Sequence, residues 1–69
     1  MEESVYRVIE VIGTSPTSWE EAARIAVETA GTTLEDLRVA EIVELDMRLQ
    51  DNKVMAYRAK VKISFKYRI

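Results

Sequence analysis

Residues 54–67, VMAYRAKVKISFKY, have the most regular pattern in the chain. Apolar side chains occupy every second position, and most positions between them are polar or basic. Because successive residues of a β-strand point to opposite faces, this period of two predicts one long strand with an apolar and a basic face. The apolar face comprises Met55, Tyr57, Ala59, Val61, Ile63, Phe65 and Tyr67, and the basic face comprises Arg58, Lys60, Lys62, Ser64, Lys66 and Arg68.

A second strand pattern covers residues 37–49, and the sequence QDNK at residues 50–53 separates the two strands. The length of this turn sets the hairpin register, since a slip of one residue moves every side chain to the other face. A two-residue loop would put the apolar side chains of the first strand opposite the basic face of the second. We therefore predict a three-residue loop over residues 51–53, with Asn52 or Lys53 near the left-handed region.

The N-terminal half predicts a strand followed by a helix. Residues 4–12 alternate and are rich in β-branched side chains, which is typical of a strand. Ser18 followed by Glu21 fits a capping box, and alanines at helical spacing then predict a helix over residues 19–30. The element order β–α–β–β predicts one α+β domain spanning residues 1–69.

The predicted elements differ greatly in length. The last strand would span about 45 Å at 3.3 Å per residue, whereas the helix would cover about 18 Å at 1.5 Å per residue. One helix cannot cover such a hairpin, and its remaining apolar surface would be an aggregation hazard unless other copies buried it. The pattern therefore predicts an obligate homo-oligomer.

Composition excludes several classes of function. The chain contains no cysteine and no histidine, which removes thiolate chemistry, the usual general base and the usual transition-metal ligands. With no nucleophile–base pair, we do not expect an enzyme. The low pI of about 5.1 and the absence of aromatics on the basic face argue against nucleic-acid binding. Short apolar runs and an acidic N-terminus predict a cytoplasmic protein that does not interact with membranes.

Three segments of the sequence resemble the dodecin family: VYRVIEVIGTSPTSWEEAA, TLEDLRVAEIVE and VMAYRAKVKISFKY. Together they cover nearly the whole chain. The resemblance implies a β–α–β–β protomer whose three-stranded antiparallel sheet wraps around one helix. It also implies that twelve copies form a hollow, roughly spherical homododecamer.

Most dodecins bind pairs of flavin rings between subunits, and the resemblance locates the corresponding positions here. Val39, in LRVAEI, stands where the family has its ring-stacking tryptophan. Arg58, in AYRA, replaces a glutamine that hydrogen-bonds the flavin edge, while Glu44 keeps an acidic residue near the ribityl chain. Two of the three positions have lost the flavin chemistry, so flavin binding is not expected.

Trp19 is the only tryptophan, and it does not stand at the family's flavin position. It opens the predicted helix, where dodecins carry an aromatic residue that packs. Since buried aromatics usually have a structural role, we predict core or interface packing for Trp19 instead of ligand stacking.

Charge is unevenly distributed, because residues 1–46 hold 11 acidic and 3 basic side chains, whereas residues 47–69 hold 1 acidic and 7 basic ones. In the predicted register, Asp46 faces Arg58 and Glu44 faces Lys60. One interpretation is cross-strand ion pairing, which we favour. The other is that carboxylates from several subunits hold a hard cation such as calcium. Some dodecins that lack the flavin residues are described as calcium-binding, and this sequence resembles that subgroup. The two interpretations are compatible.

Glu41 interrupts the apolar face of the second strand, and it is the third candidate metal ligand with Glu44 and Asp46. A β-bulge near Glu41 would turn its side chain outward and bring Val39 to the face of Arg58. Alternatively, Glu41 lies at an interface and pairs with a basic residue of another chain. The sequence thus favours a calcium-binding dodecin-like oligomer. The alternatives are a flavin-binding dodecin with an altered pocket and a shell without a small-molecule ligand.

Overall fold

A computed structural model describes residues 3–67, so Arg68 of the predicted basic face lies outside the described part. The chain forms strand β1 (Tyr6–Ser15), helix α1 (Trp19–Ala30), strand β2 (Leu37–Gln50) and strand β3 (Lys53–Lys66). The three strands make an antiparallel sheet in the order β1-β3-β2. The predicted α+β class and the β–α–β–β order are confirmed, and the most regularly alternating strand lies at the centre of the sheet.

The core lies between α1 and the middle of β3. Ala22 and Ala26 of the helix contact Ala59, Val61 and Ile63, and all five side chains are buried. Because alanine is small, the helix backbone approaches the sheet closely here. The apolar face predicted for β3 is thus buried at its centre.

The first strand is longer at its C-terminal end than predicted. Residues 13–15 continue β1 beyond the predicted end at residue 12, because they pair with residues 57–59 of the long central strand. Gly13 permits this extension: a Cβ atom built there would lie 2.1 Å from the carbonyl oxygen of Ala22. The close approach of β1 to the helix therefore requires glycine at this position.

Half of the predicted capping box is present at the start of α1. The Ser18 hydroxyl accepts a hydrogen bond from the Glu21 N–H at 3.0 Å. The reciprocal bond is not formed, because the Ser18 N–H donates to the Ser15 hydroxyl at 3.4 Å and the Glu21 carboxylate pairs with Arg24. Burial of Ser15 at the end of the extended β1 brings its hydroxyl within reach of the helix cap.

The turn between β2 and β3 differs from the prediction. Only Asp51 and Asn52 lie between the strands, with φ of 53° and 63°, and Lys53 already pairs with Gln50. The predicted three-residue loop is therefore wrong. Asparagine and aspartate tolerate positive φ, and two such residues in succession suit a tight two-residue hairpin turn.

The predicted register is nevertheless confirmed beyond the turn. Leu49 pairs with Val54, but Arg48 pairs with Ala56, so Met55 is an additional residue that forms a bulge. This bulge shifts the alignment by one residue and has the same effect as the predicted longer loop.

The helix leaves much of the hairpin uncovered. The described chain measures 53 × 20 × 15 Å, whereas the 12 residues of α1 extend only about 18 Å. Large apolar side chains of β2 remain exposed on the helix side of the sheet, namely Ile42, Leu45 and Met47. The mismatch predicted from strand and helix lengths is thus present.

Among the described residues, no helix is long and apolar enough to cross a membrane.

Candidate functional site

The sheet face opposite the helix, here called the outer face, bears the predicted site residues. Strand β2 contributes Val39, Glu41, Glu44 and Asp46, which lie across from Ser64, Lys62, Lys60 and Arg58 of β3, respectively. This face is a row of acidic side chains beside a row of basic ones. The facing of Glu41, Glu44 and Asp46 by basic residues thus accounts for part of the charge asymmetry of the sequence.

Asp46 and Arg58 form the best-defined pair on this face. Arg58 donates from Nε to Asp46 Oδ1 at 2.7 Å and from Nη2 to Oδ2 at 2.9 Å, so the pair is bidentate. The hydrogen bond from Arg58 holds the pKa of the Asp46 carboxyl below its ordinary value, and the same contact raises the pKa of the Arg58 guanidinium. The predicted ion pair is confirmed.

Glu44 and Lys60 form a looser pair. Lys60 Nζ lies 3.4 Å from Glu44 Oε1, and 60% of the Glu44 side chain is exposed. An exposed pair with a single contact is screened by water and salt and contributes little to stability. Glu44 therefore remains more available to other ligands than Asp46.

A β-bulge near Glu41 is present, which is the first of the two interpretations that the sequence left open. Ile42 pairs with Val61 and Glu44 pairs with Lys60, so Val43 is the additional residue. The bulge places Glu41 on the outer face opposite Lys62 and also places Val39 on this face. The contact of Glu41 with another chain, the alternative interpretation, remains a prediction.

Trp19 packs between the helix and the hairpin. Its indole Nε1–H donates to the Asp46 carbonyl oxygen at 3.0 Å, and its ring meets Tyr57 edge-on, with centroids 5.1 Å apart. The ring is half-buried, which agrees with the predicted packing role. The sequence analysis did not identify the link from Trp19 to Asp46, because it joins residues 27 positions apart and depends on the hairpin register.

The candidate metal ligands do not converge within one chain. Glu41, Glu44 and Asp46 follow one another along β2, and each faces a basic residue. Residues 3–67 contain no group of three or more acidic side chains that could hold a metal ion. Their carboxylate oxygens suit a hard cation such as calcium, which takes six to eight oxygen ligands. A cation on this face would therefore need further oxygens from other copies, from the backbone or from water.

The three family flavin positions are also separated within one chain. Arg58 and Glu44 lie on adjacent cross-strand pairs, but Val39 lies opposite Ser64, about 20 Å from Arg58 along β3. Val39 is 58% exposed and has no aromatic face. A pocket containing all three would need residues from at least two chains.

The fold and the outer face define a class of small α+β protein. In this class a single chain carries the candidate binding residues but does not bring them together into one site. The family model described as Dodecin matches residues 5–68. The chain therefore belongs to the dodecin family.

Several dodecins are similar to this chain in sequence and structure. Calcium dodecin of Mycobacterium tuberculosis is 51% identical over 65 residues, covering 94% of this chain and 92% of the relative. Its crystal structure, described as calcium chelating with a novel calcium-binding site, superposes with a TM-score of 0.84 over 94% of this chain and 93% of that one. Dodecin from Streptomyces coelicolor is 33% identical, with a TM-score of 0.92 and coverage of 100% and 99%.

Proposed function

We propose that this chain is the subunit of a closed homododecamer that binds calcium or a similar hard cation at its subunit junctions. Glu44 and Asp46 are the first candidate ligands, and Glu41 is the third. The observation that best supports the proposal is the row of carboxylates on the outer face of β2. The 51% identity to a calcium dodecin also supports the proposal.

The position of β2 in the sheet explains why a junction is proposed. Within the described residues β2 pairs with no strand other than β3, so a further chain could pair with its other backbone edge. One chain provides too few oxygens at one point for calcium, whereas symmetry repeats each carboxylate wherever copies meet. We propose a binding or storage role and not catalysis, since the chain lacks histidine and cysteine.

Calcium is expected to raise the melting temperature of the purified oligomer. The unfolded chain cannot assemble a site from several copies, so binding stabilises the folded state by mass action. The stabilisation reaches about 2.7 kcal/mol per site at a free calcium concentration 100 times the Kd. Melting curves with millimolar calcium and with a chelator measure the effect.

Three variants locate this site. Glu44→Gln and Asp46→Asn are expected to reduce the calcium response, whereas Glu28→Gln should leave it unchanged, because Glu28 lies on the helix and pairs with Arg24. An unchanged melting temperature of the parent protein in calcium would reject the calcium proposal. Equal responses of the parent and both outer-face variants would place calcium elsewhere.

Riboflavin is expected to bind this protein weakly. Val39 cannot stack on a ring, and the Arg58 guanidinium is engaged by Asp46. Stacking on an aromatic side chain contributes about 1–3 kcal/mol per ring, or one to two powers of ten in affinity. Val39→Trp combined with Arg58→Gln is therefore expected to tighten binding by about that factor in flavin-fluorescence titrations. Tight quenching of riboflavin by the parent protein would contradict this expectation.

A further inference from the structure

Every oxygen atom of Asp46 already has a hydrogen-bond donor. Arg58 donates to Oδ1 and Oδ2, and the Trp19 indole donates to the main-chain carbonyl oxygen. Two residues earlier, the Glu44 side chain makes a single ion-pair contact among the described residues, from its Oε1 to Lys60 Nζ at 3.4 Å. The two first candidate ligands therefore differ sharply in how strongly the chain itself engages them.

We infer that Arg58 competes with the cation for Asp46 and thereby sets the cation affinity of the outer face. This inference rests on the proposed function and adds a residue that determines its strength. A cation that uses the Asp46 carboxylate must displace at least one of the two Arg58 bonds or share an oxygen with the guanidinium. In both cases a fixed positive charge opposes the incoming one.

Lys60 provides a comparison within the same chain. It has the same charge as Arg58 and lies on the same face, but it approaches its carboxylate through a single flexible ammonium group. A planar guanidinium with two parallel bonds holds a carboxylate more rigidly than an ammonium does. Removal of Arg58 should therefore have a larger effect on cation binding than removal of Lys60.

Isothermal titration of the assembled protein with calcium chloride tests this inference. Arg58→Gln is expected to tighten calcium binding by about tenfold, the scale of one hydrogen bond between charged groups that the cation no longer has to displace from Asp46. Lys60→Gln is expected to tighten it less. Arg58→Lys keeps the charge but loses the bidentate geometry, and we expect an intermediate affinity.

A double-variant cycle separates competition for Asp46 from a general effect of charge. In the Asp46→Asn background, the added Arg58→Gln change should alter calcium affinity by no more than about twofold, because the shared carboxylate is absent. A tenfold gain that persists in this background would overturn the inference. Trp19 fluorescence and gel filtration verify that each variant remains folded and assembled.

The remaining outcomes distinguish this inference from the proposed function. If the parent binds calcium and Arg58→Gln and Arg58→Lys bind it equally well or more weakly, the competition is wrong and the calcium proposal stands. If neither the parent nor any Arg58 variant binds calcium, the calcium proposal itself is wrong, and the inference with it.

Discussion

Replacing Gly13 by alanine is expected to lower the stability of the fold by about 3 kcal/mol or more, at the upper end of the usual effect of overpacking a core. The added Cβ would lie 2.1 Å from the Ala22 carbonyl oxygen and 2.9 Å from the Ala26 Cβ. The first of these atoms belongs to the helix backbone, so it cannot rotate away, and the helix has to move off the sheet. The helix supplies two of the five residues of the buried core cluster, so this displacement opens the core.

Thermal and urea unfolding, followed by circular dichroism, measure this loss. Gly31→Ala is the matched control, because a Cβ there meets its nearest neighbour, the Glu28 carbonyl oxygen, at 3.4 Å and the backbone has an ordinary φ of −68°. The control should change stability only slightly. If Gly13→Ala unfolds at the same denaturant concentration as the parent, the close packing of β1 against α1 is wrong.

The fold was largely predictable because the central strand has a simple pattern. Residues 54–67 alternate so regularly that their faces and their place in a hairpin follow from the period of two. The requirement that apolar faces align then fixed the register, and with it the pairing of Asp46 with Arg58. The bulge near Glu41 was not decided by this pattern, since a glutamate on an apolar face can be accommodated either by a local change of phase or by an interface with another chain.

The turn was not predictable from this argument, because two solutions give the same distant register. A three-residue loop and a two-residue turn followed by a bulge at Met55 both align Asp46 with Arg58. The choice between them depends on how readily Asp51 and Asn52 adopt positive φ. The alternation of apolar and polar residues along the strands gives no information on this. The helix begins at Trp19, as predicted, but the second hydrogen bond of the capping box is absent. The Ser18 N–H donates instead to Ser15, which lies at the end of the extended strand β1.

The placement of the candidate ligands on one sheet face was predictable, but the way in which several copies would bring them together was not. Placing Glu44 and Asp46 on one face needs only the strand period and the register. Their convergence with carboxylates of other copies depends on how whole subunits meet, and the side-chain pattern of one chain does not encode that geometry. The Trp19–Asp46 hydrogen bond could not be predicted from the sequence for a related reason, because it depends on how the helix packs on the hairpin.

The oligomer is expected to dissociate when Leu45 is replaced by lysine. Leu45 is 48% exposed on the helix side of β2, beside a groove of about 470 Å³ that Trp19 and Ile42 also line. Full burial of a leucine side chain contributes about 1.5–3 kcal/mol, and a closed shell repeats this contribution in every subunit. A lysine ammonium buried in the same interface would have to give up its water, which costs free energy that leucine does not lose. Native mass spectrometry should therefore show twelve copies for the parent and smaller species for Leu45→Lys.

Leu45→Met is the matched control, because it nearly preserves volume and hydrophobicity and should leave the assembly intact. Leu45 is not part of the buried core of the single chain, so lysine at this position should not disturb the fold of the protomer directly. Loss of assembly can thus be attributed to the contact between copies. A twelve-copy species of Leu45→Lys with the parent's melting temperature would show that this face is not an interface. A parent protein that is a stable folded monomer at micromolar concentration would overturn the assembly proposal altogether, since the exposed apolar residues of β2 would then need no second chain to cover them.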